Sequence, residues 1–231
     1  MNNENYINLR PRLKKIAELV PPCNAVADIG TDHAYIPVQL LLSNRAKHII
    51  ASDIKKGPVD RAKKTVEKYG LEGKIDVRLG AGLSTVAPNE AEVIIIAGMG
   101  GILISDILKQ SQDTVRAAKL LILQPMTAVY ELREYLSQNN YSVENEYLVQ
   151  EEDKIYNIIV VKTSENNPYT LKELYLGKGL DKTSPMLCDS YQRGVITKLK
   201  KRADGLEKSK LEKNRLELNK ILDIMQKIIK N

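Results

Sequence analysis

Five short apolar runs, rich in Val and Ile and spread over the first 125 residues, decide the architecture of this chain. "NAVADIG" closes at Gly30, "KHIIASD" at Asp53, "KIDVRLG" at Gly80, "EVIIIAG" at Gly98 and "AKLLILQP" at Pro125. A strand that is apolar at nearly every position must be covered on both faces, which is the condition of a parallel sheet held between helical layers. The segments between the runs have helical spacing. The clearest opens at Pro58, continues through Val59, Ala62, Val66 and Tyr69, and stops at Gly70. "NLRPRLKKIAELVP" reads as a basic amphipathic helix ahead of the first strand. After the fifth run come a helix from about Thr127 to Gln138 and two strands, "SVENEYLVQ" and "KIYNIIVVK". Their acidic link "EED" is short enough for a hairpin, which would put an antiparallel strand at the end of the sheet. Right-handed β-α-β crossovers then predict an α/β fold, a doubly wound sheet of seven strands.

The pattern changes after Lys162. "TSENNP" is a polar breaker with no strong strand behind it, so the expected domains are residues 1–163 and 164–231. From about Pro185 the chain reads as helix. Leu211, Leu218, Ile221, Leu222, Met225, Ile228 and Ile229 form one stripe at 3–4 spacing, and Tyr191, Val195, Leu199 and Leu206 form a shorter one. Gly205 and Ser209 mark a reversal between two antiparallel, coiled-coil-like helices, which would close within one chain and leave a monomer. The net charge of +6 resides in this last third: residues 164–231 hold 15 Lys and Arg against 9 Asp and Glu, and the preceding 163 residues balance. Such asymmetry points to a basic appendage facing a polyanion, or else to a solvated helical face.

No apolar run approaches the length a bilayer needs, and "MNNENYINLR" has no signal-peptide core. Cys23 and Cys188 lie far apart and form no Cys-x-x-Cys pair, as expected of a reducing, cytoplasmic setting without structural zinc. With only two histidines, a His-based metal site is not expected.

Ligands of open α/β sheets bind beyond the carboxyl ends of the strands, near the switch in strand order. The first strand end supplies Asp28, Gly30 and the turn "TDHAY", and the second supplies Asp53, 23 residues past Gly30, where an acid suits a ribose diol. The glycines of G-x-G-x-x-G, which admit a pyrophosphate, are missing, and there is no P-loop. A cofactor with a ribose and no phosphate escapes both objections. S-adenosylmethionine is such a cofactor: its ammonium and its ribose each call for an acid. The competing reading is that Asp53 caps the next helix and Asp28 braces the turn.

"DIGTDHAYIPVQLL", "SDIKKGPVDRAKKTVEKYGL", "VRLGAGL", "IIIAGMGGILISDIL", "LILQP" and, further on, "LDKTSP" occur in order. Together they resemble the bacterial methyltransferases that modify N1 of adenine 22 in tRNA, over essentially the full chain. The resemblance implies a Rossmann-like catalytic domain, S-adenosyl-L-methionine as cofactor, tRNA as partner, and a helical C-terminal domain that helps to hold the RNA. It places Asp28 and Gly30 against the methionine portion of the cofactor and Asp53, followed by Ile54, at the ribose. Gly80, Ala81, Gly82 and Leu83 would border the cofactor's adenine. Ala97, Gly98 and Met99 stand at the fourth strand end, where many amino-directed methyltransferases carry Asn/Asp-Pro-Pro-Tyr. A ring nitrogen already offers an in-plane lone pair, so alignment with the methyl group is the chief requirement.

On this reading the turn carries side chains because they face the methyl acceptor. Asp32 or His33 would hydrogen-bond the base or take the proton shed from N6, and Tyr35 would stack on it. Alternatively, Asp32 caps the following helix and His33 is a structural donor. Arg10, Arg12, Lys14 and Lys15, with Arg193, Lys198, Lys200, Lys201 and Arg202, offer phosphate contacts. Methylation of a different RNA base or of a small amine, and non-catalytic RNA binding on a retired sheet, are the alternative functions.

Overall fold

The computed structural model describes residues 7–163, 167–208 and 212–229. The chain divides into two compact units, Met1–Pro168 and Tyr169–Asn231. The first opens with α1 (Pro11–Leu19), whose Pro11 sits where a helix has no use for an amide N–H. There follow β1 (Cys23–Ile29), α2 (Tyr35–Leu42), β2 (Ala46–Asp53), α3 (Lys56–Lys68), β3 (Ile75–Leu79) and a 3₁₀ turn at Gly82–Thr85. Then come β4 (Val93–Gly100), α4 (Gly101–Gln110), α5 (Gln112–Ala117), β5 (Leu120–Thr127), α6 (Val129–Gln138), β6 (Ser142–Glu151) and β7 (Lys154–Lys162).

The seven strands run in the order β3-β2-β1-β4-β5-β7-β6. Pairs among β1 to β5 are parallel, whereas β7 is antiparallel to both β5 and β6. The antiparallel strand therefore lies one place in from the edge, not at the edge as the hairpin alone suggested. Burial explains the exchange. β7 is buried continuously from Asn157 to Val161, while β6 alternates and can tolerate an edge.

Strand order reverses between β1 and its neighbours β2 and β4, which opens a crevice above their carboxyl ends. Beneath it, Val26, Ile49, Ile95 and Ile122 of four adjacent strands pack with Ile16, Val38, Leu40 and Val66 of α1, α2 and α3. Fully burying each such side chain contributes about 1.5–3 kcal/mol, so the strand ends stand on a stiff floor. Farther along the sheet, Arg133 of α6 and Glu146 of β6 form a fully buried ion pair, with Nε to Oε1 at 3.0 Å and Nη2 to Oε2 at 2.6 Å. That geometry ties the last helix of the layer to the sheet.

The second unit contains α7 (Leu171–Leu176), α8 (Pro185–Lys208) and α9 (Glu212–Ile229). Thr170 and Glu173 close a reciprocal capping box at the start of α7. Leu176, Ile224 and Ile228 form its core, with Leu171, Tyr175, Val195 and Leu199 packed against them. The buried stripe of α9 is thus Ile221, Ile224 and Ile228, and Leu222 is exposed. Gly205 does not turn the chain: α8 runs through it to Lys208. Ser209 and Leu211, and the side chain of Ile229, lie outside the described residues.

Candidate active site

A cavity of about 360 Å³ opens at the ends of β1, β2 and β4, within the size range of small-molecule sites. Gly30, Asp53, Ile54, Gly80, Ala81, Gly82, Leu83 and Met99 all line it, so eight of the expected positions converge on one hollow. Asp28, Ala97 and Gly98 are not on its lining. Asp28 is buried one turn of strand below Gly30.

Each wall has a local cause. β1 ends because Gly30 takes φ +81°, a conformation costly for any side chain, and because a Cβ there would overlap Met99 Cε. The N–H groups of Gly30 and Thr31 both donate to the Ser52 carbonyl, at 2.7 and 2.9 Å, locking the turn to β2. Asp53 Oδ1 accepts the Lys55 N–H at 2.7 Å, so the acid does brace the entry to α3. Its Oδ2 has no protein partner among the described residues and remains available. Ser52 Oγ is buried, lines the same cavity and has no partner among those residues. The lining residues contributed by α4 were not foreseen. Leu103, Asp106 and Ile107 of α4 face the cavity at i, i+3, i+4 spacing, a pattern readable in "GILISDILKQ" once that helix is set beside the strand end.

Burial holds the carboxyl of Asp28 well above the usual carboxylate range, at about 6, and the hydrogen bond from the Thr31 side chain offsets this in part. An isolated acid at the floor of the crevice therefore ionises reluctantly. A cation placed nearby would relieve that penalty. The donor set consequently fits a group with a ribose, an ammonium and no phosphate: a free carboxylate oxygen, an orphaned hydroxyl and an acid short of positive charge.

The "TDHAY" turn forms a second cluster, not on the cavity lining. Ala34, at φ 53°, is the N-cap of α2 and has no side-chain cap, so Asp32 does not serve that helix. Instead Asp32 accepts from Arg61 of α3, with Nε at 3.0 Å and Nη2 closer still. His33 Nε2 lies 3.5 Å from the other Asp32 oxygen, and its ring stacks on Tyr35 at 5.0 Å and 13°. Arg61 escaped the reading of the sequence because it looks like one more solvated lysine-or-arginine position on an amphipathic helix. The turn is thus a preset row of acid, imidazole and phenol, anchored from one side by a guanidinium.

The basic positions separate by environment. Arg10 and Lys14 are exposed, and Lys15 lies over Tyr147 at 4.6 Å. Arg12 turns inward instead, donating to Gln124 from Nη1 at 2.5 Å, so its guanidinium is not free for phosphate. In the second unit Lys198, Lys200 and Lys201 are exposed, whereas Arg193 pairs with Asp189 and Arg202 with Glu217. Among the described residues no group of three or more His, Cys, Asp or Glu could hold a metal ion, and no helix is long and apolar enough to cross a membrane.

A family model for a methyltransferase domain matches residues 9–159, and with the sheet order and the strand-end cavity it defines an S-adenosylmethionine-dependent methyltransferase. The chain is 39% identical over 163 residues to the tRNA (adenine(22)-N(1))-methyltransferase of Bacillus subtilis strain 168, covering 71% of this chain and 68% of that protein. The chain belongs to the tRNA (adenine(22)-N1)-methyltransferase family. The solved B. subtilis M1A22 tRNA methyltransferase TrmK superposes with a TM-score of 0.80 at 30% identity, covering 96% of this chain and 99% of that one. Mycoplasma capricolum TrmK, solved in complex with the cofactor product S-adenosyl-homocysteine, gives 0.81 at 30% identity, covering 96% of each chain.

Proposed function

We propose that this methyltransferase transfers the methyl group of S-adenosylmethionine to N1 of an adenine in tRNA, position 22 by its relatives. One observation carries the reading: Asp53 lines the cavity above β1, β2 and β4 with one oxygen free for a ribose, and Asp28 lies buried beneath the β1 turn, short of a positive charge. The cofactor supplies a methyl group made electrophilic by its sulfonium.

The protein's part is placement. The free oxygen of Asp53 holds a ribose hydroxyl, ionised Asp28 balances the ammonium across the β1 turn, and Gly80 to Leu83 border the cofactor's adenine. Met99, lying against Gly30, sets the distance between the methyl group and the acceptor. The N1 lone pair forms the new N–C bond as the C–S bond breaks, leaving S-adenosyl-homocysteine and a cationic adenine. That cation sheds a proton from N6, which Asp32 or His33 can take, while Tyr35 stacks on the base. Because proton removal follows bond formation, loss of either group reduces the rate without abolishing it.

N1 lies on the pairing edge of adenine, so a paired target must leave its helix at a cost of a few kcal/mol. Contacts to the RNA backbone offset that cost without reading sequence. Arg10, Lys14 and Lys15 provide them on the catalytic unit, and Lys198, Lys200 and Lys201 provide them on the helical unit, the second tRNA-holding element. The test is incubation with labelled cofactor and an unmodified tRNA transcript, followed by mass-spectrometric mapping. The expected product is 1-methyladenosine at one position. Methylation at N6 or on cytosine, or none at all, overturns the assignment.

A further inference from the structure

Arg12 begins an internal chain of contacts that ends at the reaction site. Between Ala97 and Met99 the pairing of β4 with β5 shifts register, so Gly98 is skipped and its N–H leaves the ladder. Gly98 takes φ +81°, as such a bulge requires. The displaced N–H donates to Gln124 Oε1 at 3.2 Å, and that oxygen also accepts Arg12 Nη1 at 2.5 Å. Gln124 Nε2 donates to the Pro125 carbonyl at 2.8 Å, and the residue is wholly buried. A flipped amide would set donor against donor at two contacts and acceptor against acceptor at the third, so Arg12 fixes its orientation.

Arg12 is itself held. Its backbone N–H donates to Glu151 Oε2 at 3.2 Å, and its guanidinium lies 5.3 Å from the Tyr156 ring centre. Its Nε is buried with no partner among the described residues, an arrangement that serves an interior brace and not a surface phosphate clamp. The bulge matters because it aims the next residue: Met99, paired with Pro125 just past it, lies against Gly30 on the lining of the cofactor cavity.

We propose that Arg12 is a positioning residue for methyl transfer: it locks Gln124, which holds the Gly98 bulge and so keeps Met99 in place against the acceptor base. The inference rests on the methyl-transfer reading above and deepens it. Lysine cannot replace it fully, since a single ammonium lacks the planar, multi-donor face that both bonds Gln124 and stacks on Tyr156.

The full chain, Arg12→Met and Arg12→Lys are compared in steady-state methylation of a tRNA transcript, cofactor-product binding, and amide hydrogen exchange. Arg12→Met is expected to lower kcat about ten- to a hundredfold through misplacement, with KM for tRNA and affinity for S-adenosyl-homocysteine within about twofold of wild type. Exchange at Gly98 should accelerate at least about tenfold, with Ile95 and Ile96 unchanged, because only the local bond is lost. Arg12→Lys should recover part of both effects. A raised KM with intact kcat, and a salt dependence weakened by about one phosphate contact, would make Arg12 an RNA ligand and overturn the proposal. So would equal losses in kcat, cofactor affinity and protection across β4, which would mark a merely structural residue. If the wild-type chain methylates no tRNA, the proposed function fails by itself; the exchange experiment then decides, and an unchanged Gly98 amide in Arg12→Met refutes the brace.

Discussion

Replacing Asp28 by asparagine should make the cofactor-free protein more stable at neutral pH while weakening its grip on the cofactor. Burial pushes this carboxyl up to about 6 in the fold, from an ordinary value of 3.8. That rise corresponds to about 3 kcal/mol by which the folded state disfavours the ionised acid. Asparagine keeps an oxygen for the Thr31 hydroxyl but introduces amide N–H groups, and an unmatched buried donor costs about 1–3 kcal/mol. The net gain at pH 7.5 should therefore be at most about 2 kcal/mol, or up to roughly 8 °C in Tm for a unit of this size.

The sign follows from proton binding. Because the folded pKa is raised, the wild-type acid carries no penalty below the unfolded pKa, where both states are protonated. The penalty grows as pH rises from 3.8 to about 6 and is constant above that. Urea unfolding followed by circular dichroism, without cofactor, should thus show Asp28→Asn gaining on wild type between pH 4 and pH 6 and holding the gain to pH 8 (roughly, over the window set by linkage). Saturating S-adenosylmethionine should reverse the order, since ligand stabilisation tracks affinity. A variant that is less stable at every pH, or whose difference ignores pH, would refute the burial argument. Undiminished cofactor affinity would refute the placement of the acid beside the ammonium.

Asp53→Ala removes the charge-assisted acceptor assigned to the ribose, worth about 1.5–3 kcal/mol; calorimetry should show cofactor binding weakened by about ten- to a hundredfold, and an unchanged affinity would displace the ribose from β2. Deleting residues 169–231 should raise KM for tRNA at least about tenfold, as several phosphate contacts are lost, while leaving S-adenosyl-homocysteine affinity as it was; equal losses would make the helices a support for the fold. Arg133→Met strands a buried Glu146 carboxylate and should destabilise the first unit by about 3–5 kcal/mol, and the double change Arg133→Met with Glu146→Leu should restore most of that in thermal unfolding. Without restoration, the pair does more than neutralise itself.

The parallel core was legible because its physics is written locally. Ile94, Ile95 and Ile96 are apolar in succession only because both faces of β4 are covered. The strand-end acids were legible for a related reason: a sheet of this class brings Gly30 and Asp53 together whatever the loops do. Arg12 and Arg61 were not. Each sits on an amphipathic helix among other basic residues, and helical spacing cannot tell a guanidinium turned toward a neighbour from one turned toward water. The same blindness misplaced the end of α8, since Gly205 weakens a helix by only about 1 kcal/mol, and the packing of Leu199 and the burial of Ala203 just before it outweigh that cost.

The bulge shows why the fourth strand end resisted a sequence reading most. Gly98 could be recognised as a residue with freedom, but the use made of that freedom depends on Gln124, 26 positions later, and on Arg12, 86 positions earlier. Neither partner has a local signature. A buried glutamine in a strand pattern looks like an error until the unpaired N–H it must satisfy is known, because a buried amide is tolerated only when all its hydrogen bonds are made. Counting unsatisfied groups therefore runs in the opposite direction from reading motifs. The glycine identifies the break in the ladder, the break demands an acceptor, and the acceptor's second lone pair demands a donor. Arg12 is the residue that answers the last demand, and this is why its inward turn follows from the same bulge that aims Met99.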